Sequence, residues 1–346
     1  MSIRFRARSL LVLLFLSSCG EPKAAPASPG SIFLISRGQL WRIQESGTRE
    51  KLVIECERAD QVTCSADGLR LAVIGAAKDH LVICFGGNLA APTIQTDLPS
   101  RGVAVRDFHF DHQARSLALI ADTGDRHMLY VASPGDRMAR ALTSVSGDDR
   151  AATWDPSGGK LAILATNQSE RTVSGNVAQE RWSASIEIVD VASGDRSRLG
   201  APLAGALRVS WSPDGKLLAV DDLRSIFMIP VDGRPMVEVY KGTEINPAPV
   251  WSLDGGEILF GEVRDAEGGD PSEQQFAAIV LRVADRSTTR IAAEGRIDAL
   301  AWDQTGRQIA RIDAGTLVVS TVDPPSRRVL FEDAGPSASL IWASPR

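Results

Sequence analysis

Histidine and cysteine are scarce in this chain of 346 residues, with four of each. That rules out zinc-finger frameworks and disulfide-dense scaffolds. Long apolar runs are absent too. The stretch at 10–16 (LLVLLFL) has seven residues, and spanning a bilayer takes about 20, so a polytopic membrane protein is excluded. No segment sustains a 3.6-residue period, which argues against long amphipathic helices. There is no Gly-rich phosphate loop, no G-x-S-x-G elbow and no Ser-His-Asp set at a recognisable spacing. Positive charge is not in excess. The formal net charge is −5, and −8 without the three arginines of the first eighteen residues. A mildly acidic body lacks the electrostatic footprint for nucleic acid. What remains is ordinary for a soluble globular protein: 44% apolar and 23% charged residues. Length alone suggests two domains, unless the chain repeats.

The amino end reads as a targeting segment. Residues 1–8 are basic, the apolar run follows, and Ser17, Ser18 and Cys19 close it. A charged flank, a short apolar core and small residues make a secretory signal. Leu16-Ser17-Ser18-Cys19 resembles the bacterial lipobox, which implies cleavage before Cys19 and lipid attachment to it. Gly20 follows the cysteine, which in enterobacterial sorting favours the outer membrane. Residues 1–18 are thus expected to be a signal peptide and 19–30 (CGEPKAAPASPG) a semi-extended tether.

Past residue 30 one phrase recurs. It reads WDPSGGKLAIL from Trp154, WSPDGKLLAV from Trp211, WSLDGGEILF from Trp251 and WDQTGRQIAR from Trp302. Weaker copies start at Cys64 and Phe110, and a truncated one at Trp342 ends the chain. Each phrase has a mechanical reading. A strand ends at the anchor. The turn follows, with Pro fixing φ, Asp bonding back to the backbone and Gly accepting positive φ. An apolar second strand comes next, then a third and a fourth. Four strands per 40–45 residues is the signature of a β-propeller blade. Residues 31–55 hold three strands without an anchor strand, and ASLIW at 338–342 is an anchor strand with nothing after it. Joined, they complete one blade and close the ring. The expectation is therefore an all-β, seven-bladed propeller over 31–346, or six blades if the degenerate copy at 110–120 is not one.

The Trp-Ser-Pro-Asp-Gly phrase, complete at Trp211–Gly215, resembles the repeats of TolB-like propellers, which also occur in prolyl oligopeptidase-type enzymes. The resemblance covers nearly all of 31–346 and implies the fold. It does not carry function, since propellers host many activities. TolB has an amino-terminal α/β domain and is not lipidated, and no hydrolase domain follows the propeller here.

Candidate chemistry is sparse. His109-Phe110-Asp111-His112 is a compact set of metal-ligand types, but it lies on a turn and reads as solvated. Asp221-Asp222 is a paired carboxylate that suits Ca²⁺ or, more simply, caps its turn. No cofactor is expected. Cys56, Cys64 and Cys84 remain after Cys19, and export permits a disulfide. Cys64, at an anchor position, reads as core. The irregularities are two insertions between second and third strands, at 166–185 and 263–276. Those turns share a face with the loops entering each innermost strand, which carry Arg106, Asp107, Arg150, Arg208, Arg296 and Asp298. The expectation is a lipid-anchored envelope protein, non-enzymatic, that binds an envelope protein or cell-wall component through this face. Asp221 and Asp222 lie between the insertions. The rival is a lyase- or lactonase-type enzyme at the channel mouth, against which stands the lack of His there. A carbohydrate or ligand sensor would use Trp182 as a stacking platform.

Overall fold

The computed structural model describes residues 30–343, apart from 53–57, 65–69, 78–79, 88–93, 98–103, 112–114, 123–126, 146–151, 167–169, 175–176, 182, 246–248, 265–273, 304, 325 and 336–339. The signal segment, Cys19, Cys56, His112, Arg150 and Trp182 lie outside the described residues. Among those described, every regular element is a strand.

The strands fall into successive antiparallel sheets. Sheet 1 holds β1 (Ser31–Ser36), β2 (Gln39–Gln44) and β3 (Arg49–Lys51). Sheet 2 is β4 (Arg58–Cys64), β5 (Arg70–Ala77), β6 (His80–Gly87) and β7 (Ile94–Asp97). Sheet 3 is β8 (Ala104–Phe110), β9 (Leu117–Asp122), β10 (His127–Ala132) and β11 (Arg140–Val145). The degenerate copy thus forms a complete four-stranded sheet. In sheet 4, β12 (Ala152–Trp154) and β13 (Lys160–Thr166) are followed by a hairpin of β14 (Glu170–Ser174) and β15 (Val177–Arg181). The sheet then resumes with β16 (Ser183–Asp190) and β17 (Arg196–Ala204). Sheet 5 is β18 (Arg208–Trp211), β19 (Leu217–Asp221), β20 (Ser225–Pro230) and β21 (Val237–Lys241). Sheet 6 has a broken inner strand, β22 (Glu244–Ile245) and β23 (Val250–Trp251), then β24 (Glu257–Arg264), β25 (Gln275–Arg282) and β26 (Thr288–Ala293). Sheet 7 is β27 (Ile297–Trp302), β28 (Gln308–Asp313), β29 (Thr316–Thr321) and β30 (Arg328–Phe331). Finally β31 (Leu340–Ala343) pairs with β1, from Ser31↔Ala343 to Leu34↔Leu340.

The apolar core is divided among the gaps between sheets. Each apolar cluster draws on two neighbouring sheets, from 1 and 2 round to 7 and 1. An inner strand therefore buries both faces. β1 is buried at all six positions, whereas β17 on the outside is exposed at most of its positions. This explains why the second strands read as continuous apolar runs rather than alternating ones. The anchors fill the gap toward the preceding sheet: Trp154 between sheets 3 and 4, Trp211 between 4 and 5, and Trp342 between 7 and 1.

Three indoles do more than fill space. Trp154 Nε1 donates to His109 O (2.8 Å), Trp251 Nε1 to Ser210 O (3.2 Å) and Trp302 Nε1 to Val250 O (3.1 Å). The acceptor is always the residue before the preceding sheet's anchor, so each bond clasps two sheets. Trp211 and Trp342 bury Nε1 without a partner. Trp302→Phe should therefore cost about 1 kcal/mol more than Trp211→Phe, the net worth of one hydrogen bond. Urea unfolding of the two variants compares them directly; equal losses would deny the clasp any energy.

The turn after each anchor is tied by its first residue. Ser212 Oγ accepts from Leu217 N (2.9 Å), and Asp155 Oδ1 takes the same role for Lys160 N (2.7 Å). Ser and Asp alternate there because either supplies the acceptor. Asp214 and Asp254 accept a backbone N–H from Lys216 and Gly256 and a serine hydroxyl, which holds both carboxyls below the ordinary carboxylate range. Gly215 has φ +74°, and a Cβ there would lie 3.4 Å from Pro156 of the preceding turn. The turns thus pack on one another around the ring.

Candidate binding face

The antiparallel order of every sheet puts the turns between second and third strands on one face. The connections from each fourth strand to the next first strand share it. At this face Arg208, the first residue of β18, stands opposite Asp221, the last of β19. Arg208 Nε donates to Asp221 Oδ2 (2.8 Å) and Nη2 to Oδ1 (2.7 Å), a two-bond fork. Nη2 also reaches Ile245 O in sheet 6 (2.8 Å). Asp221 is 0% exposed. The Arg208 guanidinium, expected among the partner contacts of this face, is thus engaged within the scaffold. Asp222 caps its turn, accepting from Arg224 N (3.0 Å) and Ser225 N (2.6 Å). Between the two acids and the strand sits Leu223, with φ 75°. A left-handed leucine costs roughly 1–2 kcal/mol. The turn holds it there: Leu223 N donates to Asp221 Oδ1 (3.3 Å), and its carbonyl accepts from Ile245 N (2.5 Å). Leu223 is 42% exposed.

Sheets 6 and 7 repeat the buried acid. Glu262 of β24 accepts from Tyr240 Oη (2.5 Å), pairs with Arg264 Nε (2.9 Å) and contacts Arg290. Burial, and then the bond to Glu262, raises the Tyr240 hydroxyl well above its ordinary pKa. In sheet 7, Arg311 is wholly buried; it donates to Ser320 Oγ (2.8 Å) and Ala292 O (3.3 Å) and lies 3.5 Å from Asp313 Oδ2. Burial lowers the Arg311 guanidinium and Asp313 opposes that. Asp313 also accepts Glu294 N (3.0 Å) and Gly295 N (2.8 Å), anchoring the connection from sheet 6. These carboxylates are consumed by internal partners, so their chemistry is structural. Asp298 is partly buried, which raises its carboxyl, while Arg296 beside it pulls the value down; Arg296 itself is exposed. Arg106 and Asp107 lie on β8. His109 is exposed and Phe110 is core. Asp111 caps its turn through Arg115 N (2.7 Å) and Ser116 N (3.3 Å). Among the described residues no group of three His, Cys, Asp or Glu is placed to hold a metal ion.

Both insertions differ from the expected loops. The one at 166–185 is mostly structured: β14 and β15 pair from Glu170↔Arg181 to Ser174↔Val177, and Ser183 already belongs to β16. That at 263–276 is shorter, because β24 and β25 extend and pair as far as Arg264↔Gln275. Glu262, Arg311 and Leu223 are absent from the sequence expectation. A usable signal exists for Asp221, Glu262 and Asp313: each follows the residue opposite its sheet's anchor (Leu218, Ile258, Ile309) by three or four positions.

The chain is a β-propeller protein. No family model matches it. It is similar in fold to a functionally unknown protein from Desulfotomaculum acetoxidans (14% identity, TM-score 0.63, covering 92% of this chain and 100% of that one). It is also similar to oligogalacturonate lyase from Vibrio parahaemolyticus (11%, 0.60, 88% and 87%). TolB from Acinetobacter baumannii is a third (14%, 0.54, 91% and 66%). At these identities the likeness establishes the fold alone.

Proposed function

We propose that this protein is a lipid-anchored propeller of the bacterial envelope that binds a protein or cell-wall partner without catalysis. The site is the face bearing the second-to-third-strand turns. In this reading 31–346 is a single domain and the seven sheets are seven blades. The innermost strands supporting that count run β31, β4, β8, β12, β18, β23, β27 and back to β31, each beside the next. The observation that carries the binding reading is the β14–β15 hairpin, a separate two-stranded sheet added between the second and third strands of sheet 4, in the sheet before the one that bears the Leu223 turn. A strained, exposed leucine on the same face is a suitable anchor for a partner. The buried acids of the same face are already neutralised, which favours recognition over acid–base chemistry.

The test is replacement of 167–182 by a tight turn, and separately Leu223→Gly. Gly accepts positive φ, so the second variant should be at least as stable as the parent. Both should lose the partner recovered by crosslinking from detergent-solubilised envelope. Retention of the same partner by both variants sinks the face assignment. Mass spectrometry of the membrane fraction should find Cys19 acylated as the first residue; an unmodified Cys19 removes the anchor.

A further inference from the structure

The turns after the Trp positions, and those between third and fourth strands, lie on the face opposite the candidate binding face. The chain enters the ring on that side. Ser31 opens β1 and stands opposite Ala343, the residue after Trp342. The segment leading to β1 therefore emerges from the face of the Trp turns. Eleven residues, 20–30, separate Cys19 from Ser31. Fully extended they span about 40 Å. β1 has six residues, a height of about 20 Å. A tether held at Cys19 thus brings the Trp-turn face to the membrane directly. Presenting the other face would use about half of its reach on the height of the ring alone.

The side chains at this end agree with that placement. Five large apolar residues are exposed among the described ones. Met138 (55%) and Met236 (47%) lie between third and fourth strands, in sheets 3 and 5, and so on the Trp-turn face. Val237 follows Met236 as the first residue of β21. Of the other two, Leu223 is on the opposite face, and Val329 is midway along the outer edge of sheet 7, opposite Val318. Methionine is unbranched and adapts to an irregular apolar surface. Each of the two has an exposed arginine within two residues, Arg137 and Arg234. An apolar side chain flanked by a guanidinium suits the boundary of a bilayer, where the cation stays among the headgroups. We propose, on the basis of the Cys19 lipid anchor inferred above, that the Trp-turn face rests on the lipid surface holding that anchor, with Met138 and Met236 entering it. The face bearing Leu223 then points away from the membrane, toward partners in the aqueous compartment.

Benzoylphenylalanine placed singly at Met138, Met236 or Leu223 of the full acylated chain reports which face meets lipid. All three positions are exposed, so the replacements should fold, and melting curves check it. In vesicles of phosphatidylethanolamine and phosphatidylglycerol, irradiation should attach lipid at the two methionine positions roughly fivefold more than at Leu223. Intact mass of the same sample reads the state of Cys19. With Cys19 acylated, absent or equal adducts at the three positions, or an excess at Leu223, overturn the orientation and leave the lipid anchor standing. A chain found in the membrane fraction without acylation overturns the anchor, and the orientation with it. Met138→Gln combined with Met236→Gln should lower the lipid adduct of a photoreactive group at Val237 roughly threefold. An unchanged adduct removes the methionines from the contact.

Discussion

Removing residues 340–346 should leave a protein that aggregates or unfolds several kcal/mol more easily than the parent. β31 supplies the inner neighbour of β1 over four paired positions. Its Trp342 belongs to the core between sheets 7 and 1, and Ala343 to that between sheets 1 and 2. Loss of a buried Trp alone costs about 3–5 kcal/mol, a large share of the roughly 5–15 kcal/mol that stabilises a domain. The deletion also bares the inner edge of β1, which can then pair with another chain. Size-exclusion chromatography and denaturant unfolding measure both effects. A truncated chain that is monomeric and melts with the parent would show that the ring does not depend on this strand.

Arg208→Ala should destabilise the protein, acting through folding rather than binding. It strands Asp221, which has no exposure, without its charge partner. Breaking a buried ion pair from one side costs about 3–5 kcal/mol, and the lower end applies because Arg208 keeps partial contact with solvent. Removing both charges should cost less than Arg208→Ala alone, because no buried carboxylate is left unpaired. Denaturant unfolding of Arg208→Ala, Asp221→Ala and the double variant closes a double-mutant cycle. A loss under 1 kcal/mol for Arg208→Ala would return this guanidinium to the list of partner contacts.

The scaffold was legible because its signals are local and repeated. A bulky anchor, a tight turn and an apolar strand lie within ten residues, so Trp211–Val220 can be read without knowing what it touches. The pairing of β31 with β1 was legible because the three-stranded stretch at 31–55 lacked the anchor strand that 338–342 supplied. The charges were harder. Arg208 and Asp221 are thirteen residues apart, and only strand register brings them opposite. Read singly, each looks like a solvated loop charge. Arg311 was harder still, since a guanidinium within a second strand breaks the apolar pattern that identified the strand. The β14–β15 hairpin is hard to foresee because TNQSERTVSGNVAQER has the polar composition of a loop. Cys64 was read as core; it is only partly buried, packed against the cluster between sheets 1 and 2, a difference that shows only in three dimensions.

The indole clasps are distributed unevenly, and this gives the ring a direction of failure. Bonds join sheets 3 and 4, 5 and 6, and 6 and 7. The arc from sheet 7 through sheets 1 and 2 to sheet 3 has none, because Trp342 is unbonded and Cys64 and Phe110 have no indole to give. Native-state opening follows the least costly route, and low-stability units tend to be contiguous. That arc is the longest run of sheets without a clasp, and the expected place for the ring to open first. It contains the seam where the two ends of the chain meet, so a fluctuation there can part the first sheet from its neighbours while sheets 5 to 7 stay assembled as a unit.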